Sequence, residues 1–126
     1  MADTTVNPAD VTQVLLCSGK VFWDLVTQRK ERGAHHVAIV RLEELYPLPE
    51  EQLKAALAPY PNASLRWVQE EPSNQGALAY IAVNFAQHLD RPTTVAARPA
   101  SASPAAGSIA RHTAEQERLM NDAFAQ

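Results

Sequence analysis

At 126 residues, with 46% apolar and 20% charged side chains, the chain has the size and composition of one globular domain. A formal charge of −3, with one dense basic run at Arg29-Lys30-Glu31-Arg32, excludes the clustered Lys and Arg of a nucleic-acid footprint. Cys17 is the only cysteine, which rules out an internal disulfide and favours a cytoplasmic address, and no apolar run approaches the ~18 residues of a membrane span.

Residues 1–12 are polar and aperiodic, the pattern of a flexible tail or linker remnant ahead of one domain over 13–126. The start, Met1-Ala2-Asp3-Thr4-Thr5, lacks the basic and apolar regions of a signal peptide. Val14-Leu15-Leu16-Cys17 is a short apolar run ending at Ser18-Gly19, which suits a buried strand. Val21, Phe22, Leu25 and Val26 then share one helical face, Thr27 to Arg32 are polar, and Gly33 is placed to close the helix as a left-handed cap. The basic run falls in that last turn, where it complements the helix dipole.

Val37-Ala38-Ile39-Val40 is the second buried-strand candidate. Arg41 to Pro49 reads as an extended or turning connection, because Pro47 and Pro49 keep it out of helix until Pro49 opens a first turn. Leu53, Ala56 and Leu57 lie in helical register, and Pro59 and Pro61 end that helix. The third strand is expected over Leu65 to Gln69, followed by Glu70-Glu71 and a stop at Pro72. Leu78, Ile81, Ala82, Phe85 and Leu89 define an amphipathic helix over 75–89. Val95-Ala96-Ala97 is a fourth strand, and 98–107 is a loop rich in Pro, Ala and Ser. A last helix turns Leu119, Met120, Ala123 and Phe124 inward, with Ser108 or the Thr113–Gln116 capping-box pair as its N-cap.

Strand and helix thus alternate four times, which predicts a mainly parallel sheet with helices on both faces. Ligands and partners of such sheets sit at the carboxyl edge. Two segments there invite chemistry. Ser18-Gly19-Lys20 lies at a strand-to-helix turn, where an anion could bind, although the two glycines of a P-loop are missing; the plainer reading is a tight turn with Ser18 capping the helix. Glu70 and Glu71 could form an acid–base pair, but neighbours on a strand point to opposite faces. The expectation is one carboxylate on a basic partner or helix terminus and the other in solvent.

Cys17, inside an apolar run, reads as a small buried hydrophobe rather than a nucleophile. His35, His36, His88 and His112 have no metal-ligand spacing, and a hydrolase reading fails for want of a Gly-x-Ser-x-Gly elbow. The segment Arg98 to Ser108 has small side chains and accessible backbone; it suits an anion cradle or subunit contact as well as it suits a surface loop.

Four passages together resemble one family: Val14 to Lys20, Val37 to Pro49, Trp67 to Gly76 and Arg98 to Pro104. They are similar to the C-terminal domain of the thiamine-diphosphate-dependent first component of the 2-oxoglutarate dehydrogenase complex, of the transketolase superfamily. The resemblance runs from about Val14 to Phe124 and implies a three-layer α/β/α, transketolase C-terminal-like fold. It further implies a homodimeric oxidoreductase of the tricarboxylic acid cycle, which decarboxylates 2-oxoglutarate on thiamine diphosphate and Mg²⁺. The succinyl group passes to the lipoyl arm of a succinyltransferase, alongside a dihydrolipoamide dehydrogenase.

The Gly-Asp-Gly…Asn diphosphate motif of thiamine enzymes does not occur in this sequence. The expectation is therefore a dimerisation and regulatory domain, inactive alone, with no catalytic or cofactor-binding residue and no metal ligand in this chain. Acetyl-coenzyme A activates some members of the resembled family. The corresponding alternative is an acyl-coenzyme A or nucleotide-phosphate binding module, with Ser18, Lys20 and Arg98 as candidate effector contacts. Trp23, Tyr46 and Tyr80 lie off the main stripes of their segments and are candidates for a surface that neighbouring domains cover.

Overall fold

The computed structural model describes residues 5–43, 50–72, 80, 83–84, 89–99 and 109–126. The elements are β1 (Gln13–Cys17), α1 (Val21–Arg32), β2 (Val37–Arg41), α2 (Glu50–Leu57), β3 (Ser64–Pro72), β4 (Thr93–Arg98) and α3 (Ile109–Phe124). The four described strands form one sheet in the order β2-β1-β3-β4, and every pairing is parallel.

The apolar runs of β1 and β2 are continuous because both faces of the sheet are covered. Val14 and Leu16 of β1, Ala38 and Val40 of β2, and Leu65 and Trp67 of β3 meet Leu53, Ala56 and Leu57 of α2. The alternate residues Leu15, Cys17, Val37, Ile39 and Val68 meet Val21 and Leu25 of α1 and Leu119, Met120, Ala123 and Phe124 of α3. This is the expected three-layer α/β/α arrangement. Each large apolar side chain so buried contributes about 1.5–3 kcal/mol.

Helix α1 keeps the expected stripe, with Phe22 and Val26 packed at its margin. Gly33 has φ 61°, and its N–H and that of Ala34 donate to the Lys30 and Arg29 carbonyls. The N-cap position is held by Lys20, with no side-chain capping bond, so Ser18 does not cap the helix. Instead the first turn is closed by backbone bonds from Phe22 to Gly19 and from Trp23 to Lys20.

Two further expectations are corrected. The third strand runs on through Glu70 and Glu71 to Pro72, because β4 reaches far enough to pair Arg98 with Pro72 across a register shift. An irregular pairing of this kind tolerates a proline without its N–H. Thr113 is no N-cap: it lies inside α3, and its hydroxyl donates to the Ile109 carbonyl at 3.0 Å. Ser108, Tyr46 and most of the helix expected over 75–89 lie outside the described residues, although Tyr80, Val83 and Asn84 are helical.

Ahead of β1, Asn7 caps a 3-10 turn at Pro8–Asp10, Val6 and Val11 pack on the α2-side core, and Arg29 Nη2 donates to Thr5 Oγ1 at 2.7 Å.

Candidate functional site

The chain leaves β1 for β2 on one side and later returns to place β3 on the other. The carboxyl ends of β1 and β3 therefore flank the point where an open parallel sheet places a crevice. From β1 comes the turn Ser18-Gly19-Lys20, with Gly19 at φ 79°. From β3 comes Gln69 to Pro72. Lys20 Nζ stands 3.6 Å from Glu70 Oε2, with side chains 85% and 21% exposed, while Glu71 faces solvent. The division of labour expected for the two carboxylates holds. An ion pair this exposed contributes about 0–1 kcal/mol and leaves the lysine available to a stronger anion.

Beneath it a buried amide shapes the end of the strand. Trp67 Nε1 donates to Gln69 Oε1 at 3.0 Å, and Gln69 Nε2 donates to the carbonyls of Glu71 and Pro72 at 3.0 and 3.2 Å. At the end of β2, the Arg41 guanidinium lies 5.4 Å from the Phe22 ring and 5.9 Å from that of Trp23. The two rings pack edge to face with centroids 5.0 Å apart. Trp23 is 61% exposed and Tyr80 71%, as their off-stripe positions suggested. Arg41 was not singled out in the sequence, although a guanidinium closing an apolar strand run was the available signal.

Arg98 ends β4, so Ser18 and Lys20 share the turn after β1, whereas Arg98 lies on the same sheet edge across β3. Its side chain is only 12% exposed and is engaged by α3. Nη2 donates to Gln116 Oε1 at 2.7 Å, Nη1 lies 3.1 Å from His112 Nδ1, and Nη1 stands 3.7 Å from Glu115 Oε2. Gln116 in turn donates to Asp24 Oδ2 of α1 at 3.2 Å. No sequence pattern pointed to Glu115 or Gln116 as partners of Arg98.

Cys17 is wholly buried, and burial pushes its thiol up to about 12 against a lesser opposing pull from Arg41. It is no nucleophile near neutral pH. Among the described residues no group of three His, Cys, Asp or Glu could hold a metal ion. The described residues do not fit a thiamine diphosphate–Mg²⁺ centre: Glu70 is paired with Lys20, and among the described residues no cluster of three potential metal ligands forms. Among the described residues no helix is long and apolar enough to cross a membrane.

Residues 1–124 match the family model described as 2-oxoglutarate dehydrogenase C-terminal. The chain is 44% identical over 124 residues to the 2-oxoglutarate dehydrogenase E1 component of Cupriavidus necator, covering 96% of this chain and 13% of that protein. Against the E1 component of Haemophilus influenzae the identity is 45% over 122 residues, covering 94% of this chain and 13% of the relative. The chain thus spans about an eighth of the length of these relatives. Among solved structures it resembles a split-gene transketolase described as an inactive beta4 tetramer. The TM-score is 0.62 at 15% identity, over 90% of this chain and 38% of that one, a likeness of fold.

Proposed function

This chain belongs to the 2-oxoglutarate dehydrogenase C-terminal family, and from that premise we propose that it is a dimer-building and regulatory domain of a 2-oxoglutarate-decarboxylating enzyme. In this reading the chemistry belongs to other parts of the enzyme. Thiamine diphosphate and Mg²⁺ are held there, 2-oxoglutarate is decarboxylated there, and the succinyl group leaves for a lipoyl-bearing succinyltransferase served by a dihydrolipoamide dehydrogenase. The setting is the cytoplasm.

The observation that carries this reading is the Arg41–Phe22–Trp23 stack. A tryptophan that is 61% exposed, with a neighbouring ring and a guanidinium against it, has the composition of an interface anchor. It stands at the carboxyl edge, where a neighbouring domain or second subunit would be seated. The test is direct: the chain is incubated with 2-oxoglutarate, thiamine diphosphate and Mg²⁺, and no turnover is expected. Sustained decarboxylation would end this reading. Trp23→Glu, made within the complete enzyme, should weaken its dimer by sedimentation; an unchanged dimer constant removes the docking role.

A second reading is favoured by the Lys20–Glu70 pair and by Arg98: acyl-coenzyme A or nucleotide phosphates act as effectors at Ser18, Lys20 and Arg98. The exposed ammonium of Lys20 beside the start of α1 supports it. Calorimetric titration with acetyl-coenzyme A should give heat that Lys20→Ala reduces. Heat unaffected by that substitution counts against it.

A further inference from the structure

Two guanidinium groups converge on one carboxylate at the junction of β4 and α3. Arg98 Nη1 lies 3.7 Å from Glu115 Oε2, and Arg111 Nε lies 3.2 Å from Glu115 Oε1. Each oxygen of the carboxylate faces a different arginine, one from the end of the strand and one from a helical turn above. The contact to Arg98 is beyond hydrogen-bond length, so that arm is held by charge alone. Arg98 Nε is buried and has no hydrogen-bond partner among the described residues. Its remaining nitrogens are oriented by Gln116 and His112, which fixes the guanidinium plane without neutralising it.

We propose that Arg98 and Arg111 form a binding site for a phosphoryl group, and that Glu115 fills this site in the free chain. The proposal rests on the effector reading above and specifies the chemistry at its Arg98 end. A carboxylate offers two oxygens and one charge. A phosphoryl group offers three oxygens and up to two charges, and arginine forks bind it through paired, charge-assisted hydrogen bonds. It therefore displaces Glu115 from both arginines, and the helix carries the released carboxylate toward solvent, where its side chain is already 21% exposed. Another carboxylate, Asp24, joins the network at one remove, accepting from Gln116 Nε2 at 3.2 Å.

The test is calorimetric titration of the full chain with inorganic pyrophosphate at low ionic strength. Glu115→Gln keeps the shape of the side chain and removes the competing charge. It should bind pyrophosphate tighter by up to about fivefold, the range of a partly exposed ion pair. Glu51→Gln removes the same charge from α2 on the opposite face of the sheet and should match the wild type. Arg98→Gln and Arg111→Gln should each weaken binding. Should Arg98→Gln fail to fold, the Arg98 Nε–H resonance in the wild-type chain supplies a second readout, since pyrophosphate should shift it.

Glu115→Gln binding no tighter than Glu51→Gln overturns the proposal, as does pyrophosphate binding indifferent to both arginines, or none in any variant. If acetyl-coenzyme A binding depends on Lys20 but not on Arg98, Arg111 or Glu115, the effector reading stands and this site falls. Pyrophosphate binding that follows the expected order without any response to acetyl-coenzyme A does the reverse.

Discussion

Arg66, near the start of β3, places Nη1 2.6 Å from the carbonyl oxygen of Asp122, in the last turn of α3. The same nitrogen reaches the carbonyls of Ala123 at 3.0 Å and Ala125 at 2.6 Å. Gln13 of β1 adds Nε2 to the Ala123 and Ala125 carbonyls at 3.5 and 3.3 Å. The final carbonyls of a helix have no partner within it and carry its negative dipole end, so a cation there is doubly suited. Among the described residues α3 has no basic residue of its own in its last turn. The sheet supplies one.

Arg66→Met should therefore lower global stability by about 1–2 kcal/mol. Urea unfolding would measure it, and amide exchange should rise first in the last turn of α3. Arg66→Lys keeps the charge but not the fork and should fall between. A Met variant as stable as the wild type would mean that water caps the helix equally well.

The buried amide of Gln69 ties the end of β3 together, accepting from Trp67 and donating to Glu71 and Pro72. Gln69→Leu leaves the indole N–H of Trp67, which is 1% exposed, without its acceptor. The cost should be about 1–3 kcal/mol. Adding Trp67→Phe to Gln69→Leu removes the stranded donor, so the double variant should lose less than the sum of the two single changes. Thermodynamic additivity in that cycle would show that the two side chains act independently.

Gly33 ends α1 at φ 61°, and a Cβ there would meet nothing within 4 Å. The cost of Gly33→Ala is then purely conformational, about 1–2 kcal/mol. Gly33→Asn should cost less, because asparagine tolerates the left-handed region. The ranking Gly, Asn, Ala in thermal unfolding checks this; alanine equal to glycine would mean that the turn relaxes to another conformation.

These contacts mark how far the chain could be read before its structure. Val14 to Cys17 and Val37 to Val40 were legible as strands because a sheet covered on both faces needs unbroken apolar runs. Leu119, Met120, Ala123 and Phe124 were legible because one helical face meets that sheet. The extension of β3 through Glu70 and Glu71 was not, since polar residues enter the strand only because β4 runs alongside to Arg98. Thr113 and Gln116 have the spacing of a capping box, yet Gln116 turns to Arg98 and Asp24 instead. At the candidate site, Ser18, Lys20 and Arg98 could be placed near strand ends, but not their partners. Glu70 reaches Lys20, and Glu115 reaches Arg98, only through the stacking order of the strands and the seat of α3.

Cys17 gives the clearest dependence on pH. Burial raises its thiol from 9.0 to about 12, with Arg41 pulling more weakly the other way. The folded state thus holds the proton more tightly than the unfolded chain does. Its contribution to stability is fully present below pH 9 and declines as pH rises from there towards about 12, because the unfolded thiol ionises first. The slope approaches about 1.4 kcal/mol per pH unit within that window. Cys17→Ala should be less stable near neutrality, having lost buried volume, but should show a shallower decline above pH 9. Below that window a thiol reagent should label the folded wild type only at its rate of global opening. Rapid labelling of native protein at pH 8, or parallel alkaline slopes for the two chains, would show that Cys17 ionises without unfolding and that burial is not what controls it.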